Sequence, residues 1–277
     1  MPAHGFLGNV RYGVEGTPGS RVLEPALVDM PDWVRSARRN AARVTNETTG
    51  VGSRDSQGQN LLMRQPELEV ELDVADPTFL ALCLATAGVL PSLTFEVSRL
   101  QAGATLAEIW VGCLCNSLRI TGAQREPLRA TAQFWPLTEE SDTGHAWAAP
   151  AARPFGFIEG IISSGGEVIG FDIDLDQGLI RDQYISVAPP ADPYAPSYVL
   201  VGRQSLTARI RSASIYDITE TENVIDVTLV FDNGINTLTI ALTDGIYQGQ
   251  EGNMPADAIQ EFGIPIKFAA IGISNGA

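Results

Sequence analysis

Residues 67–74, ELEVELDV, alternate acidic and apolar side chains without a break: Glu67, Glu69, Glu71 and Asp73 against Leu68, Val70, Leu72 and Val74. A period of two describes a strand with one buried and one wet face, whereas a helix repeats its apolar stripe every three to four residues. SLTFEVS (92–98) alternates in the same way. TLAEIWVGCLCNSLRIT (105–121) and PLRATAQFW (127–135) read as a further pair of strands, and FGFIEGIIS (155–163), EVIGFDIDL (167–175), YVLVGRQSLTARIRSASIYD (198–217) and IPIKFAAIGI (264–273) as single ones. VIDVTLVFD (224–232) and INTLTIALT (235–243) flank Asn233-Gly234, the pair best suited to a type I′ turn, so a hairpin is expected with Ile235 opening the return strand. Many short strands joined by turns predict a mainly β fold, a sandwich or barrel of two packed sheets. The 27 glycines and 17 prolines suit such turns, and 44% hydrophobic content supplies the core of one large domain or two small ones.

One segment departs from this period. DPTFLALCLATAG (76–88) predicts a helix: Asp76 can cap it, Pro77 suits the first position, and Gly88 can supply a left-handed stop. Its interior is apolar nearly all round, which predicts burial against a sheet. Before it, residues 1–65 read as an extended N-terminal arm and assembly loop, followed by a β-sandwich over 66–277. TNETTGVGSRDSQGQN (45–60) has one apolar side chain, Val51, too little to order itself, so residues from about 29 to 63 are expected to be flexible in a free monomer. SDTGHAWAAPAARP (141–154) has the composition of a linker and marks a possible break, and APPADPYAPS (188–197) is a second proline-rich loop.

The net charge of −15 is unevenly spread. Eight arginines face six acids through Arg64, whereas ten basic residues face 27 acids beyond it. So acidic a body repels phosphates and makes a poor nucleic-acid binder, while it suits a surface that DNA slides past. Arg35, Arg38, Arg39 and Arg43 stand together in WVRSARRNAAR, where a helix would bring them close to one stripe. That stripe reads as a solvated face, as an arm docking on an acidic neighbour, or as a nucleic-acid-binding arm.

Cys83, Cys113 and Cys115 form no disulfide framework and read as buried thiols of a protein made in a reducing compartment. Metal binding through them would need histidines nearby, and the only two are His4 and His145. DIDLDQG (172–178) departs from a calcium loop, since its glycine comes one place late and Gln183 stands where the closing glutamate belongs. Phe171, Ile173 and Leu175 alternate with Asp172, Asp174 and Asp176, so an acidic strand face is expected instead. No catalytic, cofactor or metal site is expected, because no nucleophile elbow, phosphate loop or zinc helix occurs and no carboxylate pair stands out. Trp33, Trp110, Trp135 and Trp147 suit core or interface anchors, or a sugar-stacking platform. No window is apolar for long enough to span a bilayer as a helix, and the N-terminus shows no secretion signal.

GNVRYGVEGTPGS (8–20) resembles the start of bacteriophage tail tube proteins, and GQNLLMRQPELEVELDVADPTFLALCLATAG (58–88) their outer strand and helix. IWVGCLCNSLRIT (109–121) with PLRATAQFW (127–135), then FDIDLDQGL (171–179), LVGRQSLTARI (200–210) and the Asn-Gly hairpin, resemble the blocks that follow, across nearly the whole chain. The resemblance implies a virion tail component assembled in the host cytoplasm. It implies hexameric rings stacked into a hollow tube, joined to tape measure, terminator and baseplate proteins, with DNA passing through the lumen. Within it, Asp172, Asp174 and Asp176, or else Glu67, Glu69, Glu71 and Asp73, are candidate channel-lining residues. Arg35, Arg38, Arg39 and Arg43 are candidate inter-subunit contacts. Alternatives are a tail terminator or baseplate ring protein, a carbohydrate-binding β-sandwich, and a hydrolase.

Overall fold

Two strands that each belong to two sheets organise the molecule. The computed structural model describes residues 7–23, 26–49, 56–85, 88–101, 104–123, 126–142, 157, 160–162, 168–182, 198–200, 202–212, 225–248, 251–253 and 261–275. The strands of the first half are β1 (Leu7–Val14), β2 (Val28–Asp29), β3 (Trp33–Thr49), β4 (Ser56–Asp73), β5 (Leu93–Gln101), β6 (Ala104–Ala123), β7 (Arg129–Trp135) and β8 (Thr138–Asp142). The second half adds β9 (Gly160–Ile162), β10 (Val168–Asp176), β11 (Ile180–Asp182), β12 (Tyr198–Leu200), β13 (Ser205–Ser212), β14 (Ile225–Asp232), β15 (Thr237–Tyr247), β16 (Glu251–Asn253), β17 (Glu261–Phe268) and β18 (Ala270–Asn275). One helix, α1 (Pro77–Leu82), lies between β4 and β5.

All described pairings are antiparallel. The first part of β6 joins β5 and β8, and with β1 and β2 they make sheet I. Its second part joins β7 and β10 in sheet II, which runs β3-β4-β7-β6-β10-β13-β17 with β16 and the end of β15 beyond. β15 repeats the device: it pairs with β14 and β18 in sheet III, which β9 extends, and then passes to β17. β11 and β12 pair with each other.

The handover in β6 falls at Gly112, whose φ is +72°. A Cβ there would lie 2.8 Å from Leu137, so any larger residue meets both backbone strain and a clash. Glu15, buried, holds the bend. Its carboxylate accepts from the Gly112 N–H (2.8 Å), Thr94 Oγ1 (2.7 Å), Ser92 Oγ (2.8 Å) and the Gly19 N–H (2.7 Å). In β15 the corresponding kink is at Asp244, the only non-glycine among the described residues with positive φ, 54°.

The period-two side chains of sheet II put Leu68, Val70 and Leu72 on the same buried face as Ala132, Phe134, Leu118, Ile120, Ile173, Leu175, Leu206 and Ala208. Sheets I and III cover that face. Phe79 of α1 meets Tyr12 of sheet I at 5.3 Å, edge to face, and Phe95 and Phe134 each at 6.0 Å. Phe171 and Phe231 tie sheets II and III at 5.7 Å. Each such ring contributes about 1.5–3 kcal/mol by burial.

The helix expected over 76–88 is therefore present but ends at Leu82. Its start follows the sequence: Asp76 accepts from the Thr78 N–H at 2.7 Å with Pro77 next, and buried Asp32 accepts from the N–H groups of Ala75 and Asp76. It stops where Gln177 Nε2 donates to the Cys83 carbonyl at 3.1 Å, a contact from a distant loop. The Asn-Gly hairpin also forms, but around a four-residue loop, so Ile235 lies outside the return strand. Asn233 Oδ1 accepts from the N–H groups of Ile235 and Asn236, while Asn233 Nδ2 and Asn236 Nδ2 both donate to the Ala75 carbonyl. The run 264–273 is two strands, with Ala269 between β17 of sheet II and β18 of sheet III. Of 198–217, β12 and β13 are strands and 213–217 lie outside the described residues, as do 143–154 and 188–197.

Residues of the expected arm fall in β1, β2, β3 and the start of β4. Residues 7–14 form β1, paired with β5 throughout, with Val10 and Tyr12 in the core. Alternation is hidden there because Asn9 and Arg11 are buried as well. Arg11 Nε donates to Glu96 at 3.0 Å, and Asn9 Nδ2 to Asp29 at 2.8 Å. Of the polar stretch 45–60, residues 45–49 and 56–60 are strand, since β3 and β4 pair from Trp33↔Asp73 out to Thr49↔Ser56, and 50–55 lie outside the described residues.

Replacing Glu15 with Ala would leave four donors without their acceptor; a loss of about 3 kcal/mol is expected in urea unfolding, and less for Glu15→Gln, which keeps one acceptor oxygen. Burial pushes the thiols of Cys83 and Cys113 well above their ordinary 9.0, with a hydrogen bond to Cys115 the largest contribution at Cys83. Cys83 and Cys113 of the native protein should thus be inert to thiol reagents at pH 8 and react on denaturation. Because a raised thiol pKa favours the folded state only while the thiol stays protonated, thermal stability should fall as pH rises past 9.0.

Candidate functional site

The other face of sheet II is wet, and antiparallel register arranges its side chains in rows. One row reads Ser36, Glu71, Thr131, Arg119, Asp174, Thr207 and Lys267 across seven strands. The next reads Asp73, Arg129, Thr121, Asp172 and Arg209. Each acidic strand is flanked on both sides by basic ones. β4 presents Glu67, Glu69, Glu71 and Asp73, and β10 presents Asp172, Asp174 and Asp176. Around them stand Arg35 and Arg38 on β3, Arg129 on β7, Arg119 on β6, Arg209 and Arg211 on β13, and Lys267 on β17.

Neighbours neutralise one another. Arg35 Nε lies 2.6 Å from Asp73 Oδ1, with Arg129 Nε at 3.9 Å from the same oxygen. That carboxylate raises the pKa of Arg35. Arg119 bridges Asp172 at 3.4 Å and Asp174 at 3.5 Å. Glu67 Oε2 accepts from Asn40 Nδ2 (3.2 Å) and Gln133 Nε2 (3.1 Å). Arg38 stands opposite Glu69, and Asp172 opposite Arg209. The two acidic strand faces named from sequence are thus one face, and its charge is balanced.

The arginine cluster lies on a strand, so the helical stripe does not exist. A bulge between Val34 and Ser36 places Arg35 beside Asp73. Arg39 falls opposite Leu68 on the inner face, where it pairs with Glu139 at 2.7 Å and lies 6.0 Å from the Trp110 ring. Arg43 is farther out on the hairpin, opposite Arg64. β4 pairs with β7 only over Leu68–Asp73; beyond that, the hairpin pairs only with itself among the described residues. The outer edge of β3 likewise has no strand partner among the described residues, and a groove of about 390 Å³ separates Val34–Ala37 from Gly8–Val10 and Val97–Arg99.

Trp110 is wholly buried, Trp135 half-buried, and Trp33 exposed at 46% where β3 begins, an arrangement of separate anchors; Trp147 lies outside the described residues. Sequence reasoning missed the basic half of the ladder, because Arg119, Arg129, Arg209 and Arg211 come from strands far apart in the chain. The alternation of each strand was the available signal.

Sheet II thus combines a charge-laddered face with an outer edge, at β3, that has no strand partner among the described residues. The family of phage tail tube proteins matches residues 5–268, and the chain belongs to that family. A comparison with curated proteins found no match. The protein is accordingly a structural component of a phage tail.

Arg119→Glu would set a third carboxylate beside Asp172 and Asp174. Its melting temperature should drop by roughly 2–4 °C at low salt, as expected for about 1 kcal/mol. Most of the loss should vanish in about 1 M salt, where screening acts within about 3 Å.

Proposed function

We propose that the protein polymerises as hexameric rings that stack into a hollow tube, and that the laddered face of sheet II lines the channel through which the genome passes to the host. The observation that carries this reading is the sheet itself, seven strands wide with one apolar face, one wet face and an outer edge, at β3, with no strand partner among the described residues. An open edge as long as β3 invites pairing with another chain, and head-to-tail closure of a ring would satisfy it. The groove beside β3 leaves room for that neighbour.

Asp172, Asp174 and Asp176 sit in the middle of the proposed lining. Balanced charge suits DNA transit as well as an anionic wall does, by a different route. A phosphate approaching Arg119 must displace a carboxylate already there, and beyond about 8 Å paired charges present little net field. The hairpin past Pro66 suits a contact between subunits, since a two-stranded ribbon is marginal in water unless it packs on something. Tape measure, terminator and baseplate proteins would be its partners in a tail assembled in the host cytoplasm.

Electron microscopy of the purified chain with nucleating tail components should show tubes, and a map should place Asp172, Asp174 and Asp176 on the lumen. Limited proteolysis should cut between β3 and β4 in monomers and not in tubes. Monomers at every concentration would refute the tube, and a map with the three aspartates on the exterior would refute the lining.

A further inference from the structure

We propose that Asn233 is a site of spontaneous deamidation that the fold keeps shut, and that its conversion to aspartate or isoaspartate unlatches the β14–β15 hairpin from the loop before α1. The chain has two Asn-Gly pairs, Asn233-Gly234 and Asn275-Gly276. Asparagine is thermolabile, and most so before glycine, where no side chain shields the following peptide nitrogen. Hydroxide removes the Gly234 N–H proton, and the nitrogen attacks Asn233 Cγ. The Cγ–Nδ2 bond breaks, ammonia leaves with a proton taken from water, and hydroxide is regenerated. Water then opens the cyclic imide at either carbonyl, giving aspartate or isoaspartate.

Gly234 is exposed, and a Cβ there would meet nothing within 4 Å, so water reaches the reacting peptide. The loop instead restrains both reacting groups. The Gly234 N–H donates to Asp232 Oδ1 at 2.6 Å, which withholds the nucleophile. The Asn233 carboxamide is held at both ends. Its Oδ1 accepts from the N–H groups of Ile235 (3.1 Å) and Asn236 (2.8 Å), and Nδ2, the leaving nitrogen, donates to the Ala75 carbonyl at 2.9 Å. Ring closure has to break the bonds to Asp232 and Ala75, so only a locally opened loop reacts. Asn275 is held less firmly. It is exposed, and among the described residues its carboxamide accepts one bond, from the Thr237 N–H at 3.3 Å.

Conversion also changes what the loop can grip. Aspartate at position 233 keeps an acceptor for Ile235 and Asn236 but sets a carboxylate oxygen against the Ala75 carbonyl, an acceptor where a donor stood. Asp76, which accepts from Asn236 Nδ2 at 3.4 Å, adds like charge nearby. Isoaspartate lengthens the backbone between the Asn233 N–H and the Asn236 carbonyl, which meet at 3.2 Å across the loop.

Purified chains, native and in urea, would be incubated at mildly alkaline pH, digested with pepsin in acid and sequenced by mass spectrometry. Both Asn-Gly pairs should convert in urea. In the native protein Asn233 should convert at least about tenfold more slowly than in urea, and more slowly than Asn275. Asp232→Ala should speed conversion of Asn233 several-fold in the native state and leave the rate in urea unchanged. Asn233→Asp should melt roughly 2–4 °C below wild type. Equal rates at Asn233 in native protein and in urea, or an Asp232→Ala chain that converts as slowly as wild type, would overturn the guard. An Asn233→Asp chain that melts like wild type would overturn the latch.

Discussion

Everything in this fold depends on β6 leaving one sheet and entering another without orphaning its backbone. A strand that turns between layers must break register at one point, and a buried N–H at that point needs an acceptor. Gly112 supplies the conformation, and Glu15 supplies the acceptor, at 2.8 Å. The same carboxylate takes the hydroxyls of Ser92, just before β5, and of Thr94 within it, and closes the loop after β1, so one side chain joins the first strand, the fifth and the sixth. Buried charge is costly unless fully hydrogen-bonded, and four donors meet that condition. With the bend in place, sheets I and III can both cover sheet II, and its other face is left to water.

That wet face changes the meaning of the chain's acidity. A net charge of −15 describes the molecule as a whole, but sheet II spends its acids locally. Glu71, Asp73, Asp172 and Asp174 each have a basic or hydroxyl partner on a neighbouring strand. Exposed pairs contribute little stability one at a time. Their larger effect is on the field that a passing polyanion meets. The imbalance falls on other strands, among them those of sheet III, which hold no lysine or arginine. The chain therefore separates a neutral sheet face from acids carried on other strands, such as Asp226, Asp232 and Asp244 of sheet III.

The periodicity of single strands was enough to read most of the fold. ELEVELDV, RATAQFW and FDIDLD each announce their buried side, because alternation is a local consequence of the pleat. The family blocks were legible for the same reason. Where burial stopped following hydropathy, reading failed: β1 buries Asn9 and Arg11, whose partners Asp29 and Glu96 are 20 and 85 residues away. Hydropathy is equally silent on the pairing of 45–49 with 56–61, because a polar hairpin is held by backbone hydrogen bonds and leaves little trace in side-chain polarity.

The sequence by itself determined that this is a β protein with half-buried strands, capped at Asp76, turned at Asn233-Gly234, with buried thiols and a basic segment before an acidic body. Each of those is a property of neighbours in the chain. Tertiary structure alone decided that Gln177 stops the helix after one and a half turns, that Asn233 and Asn236 open the hairpin to grip Ala75, and that the final apolar run divides at Ala269 between two sheets. It also decided that acids of β4 and β10 share one face with arginines of β3, β6, β7 and β13. Such a face is made by register between strands up to about a hundred and seventy residues apart, and register is a cooperative property of the whole sheet, to which no local window of sequence has access.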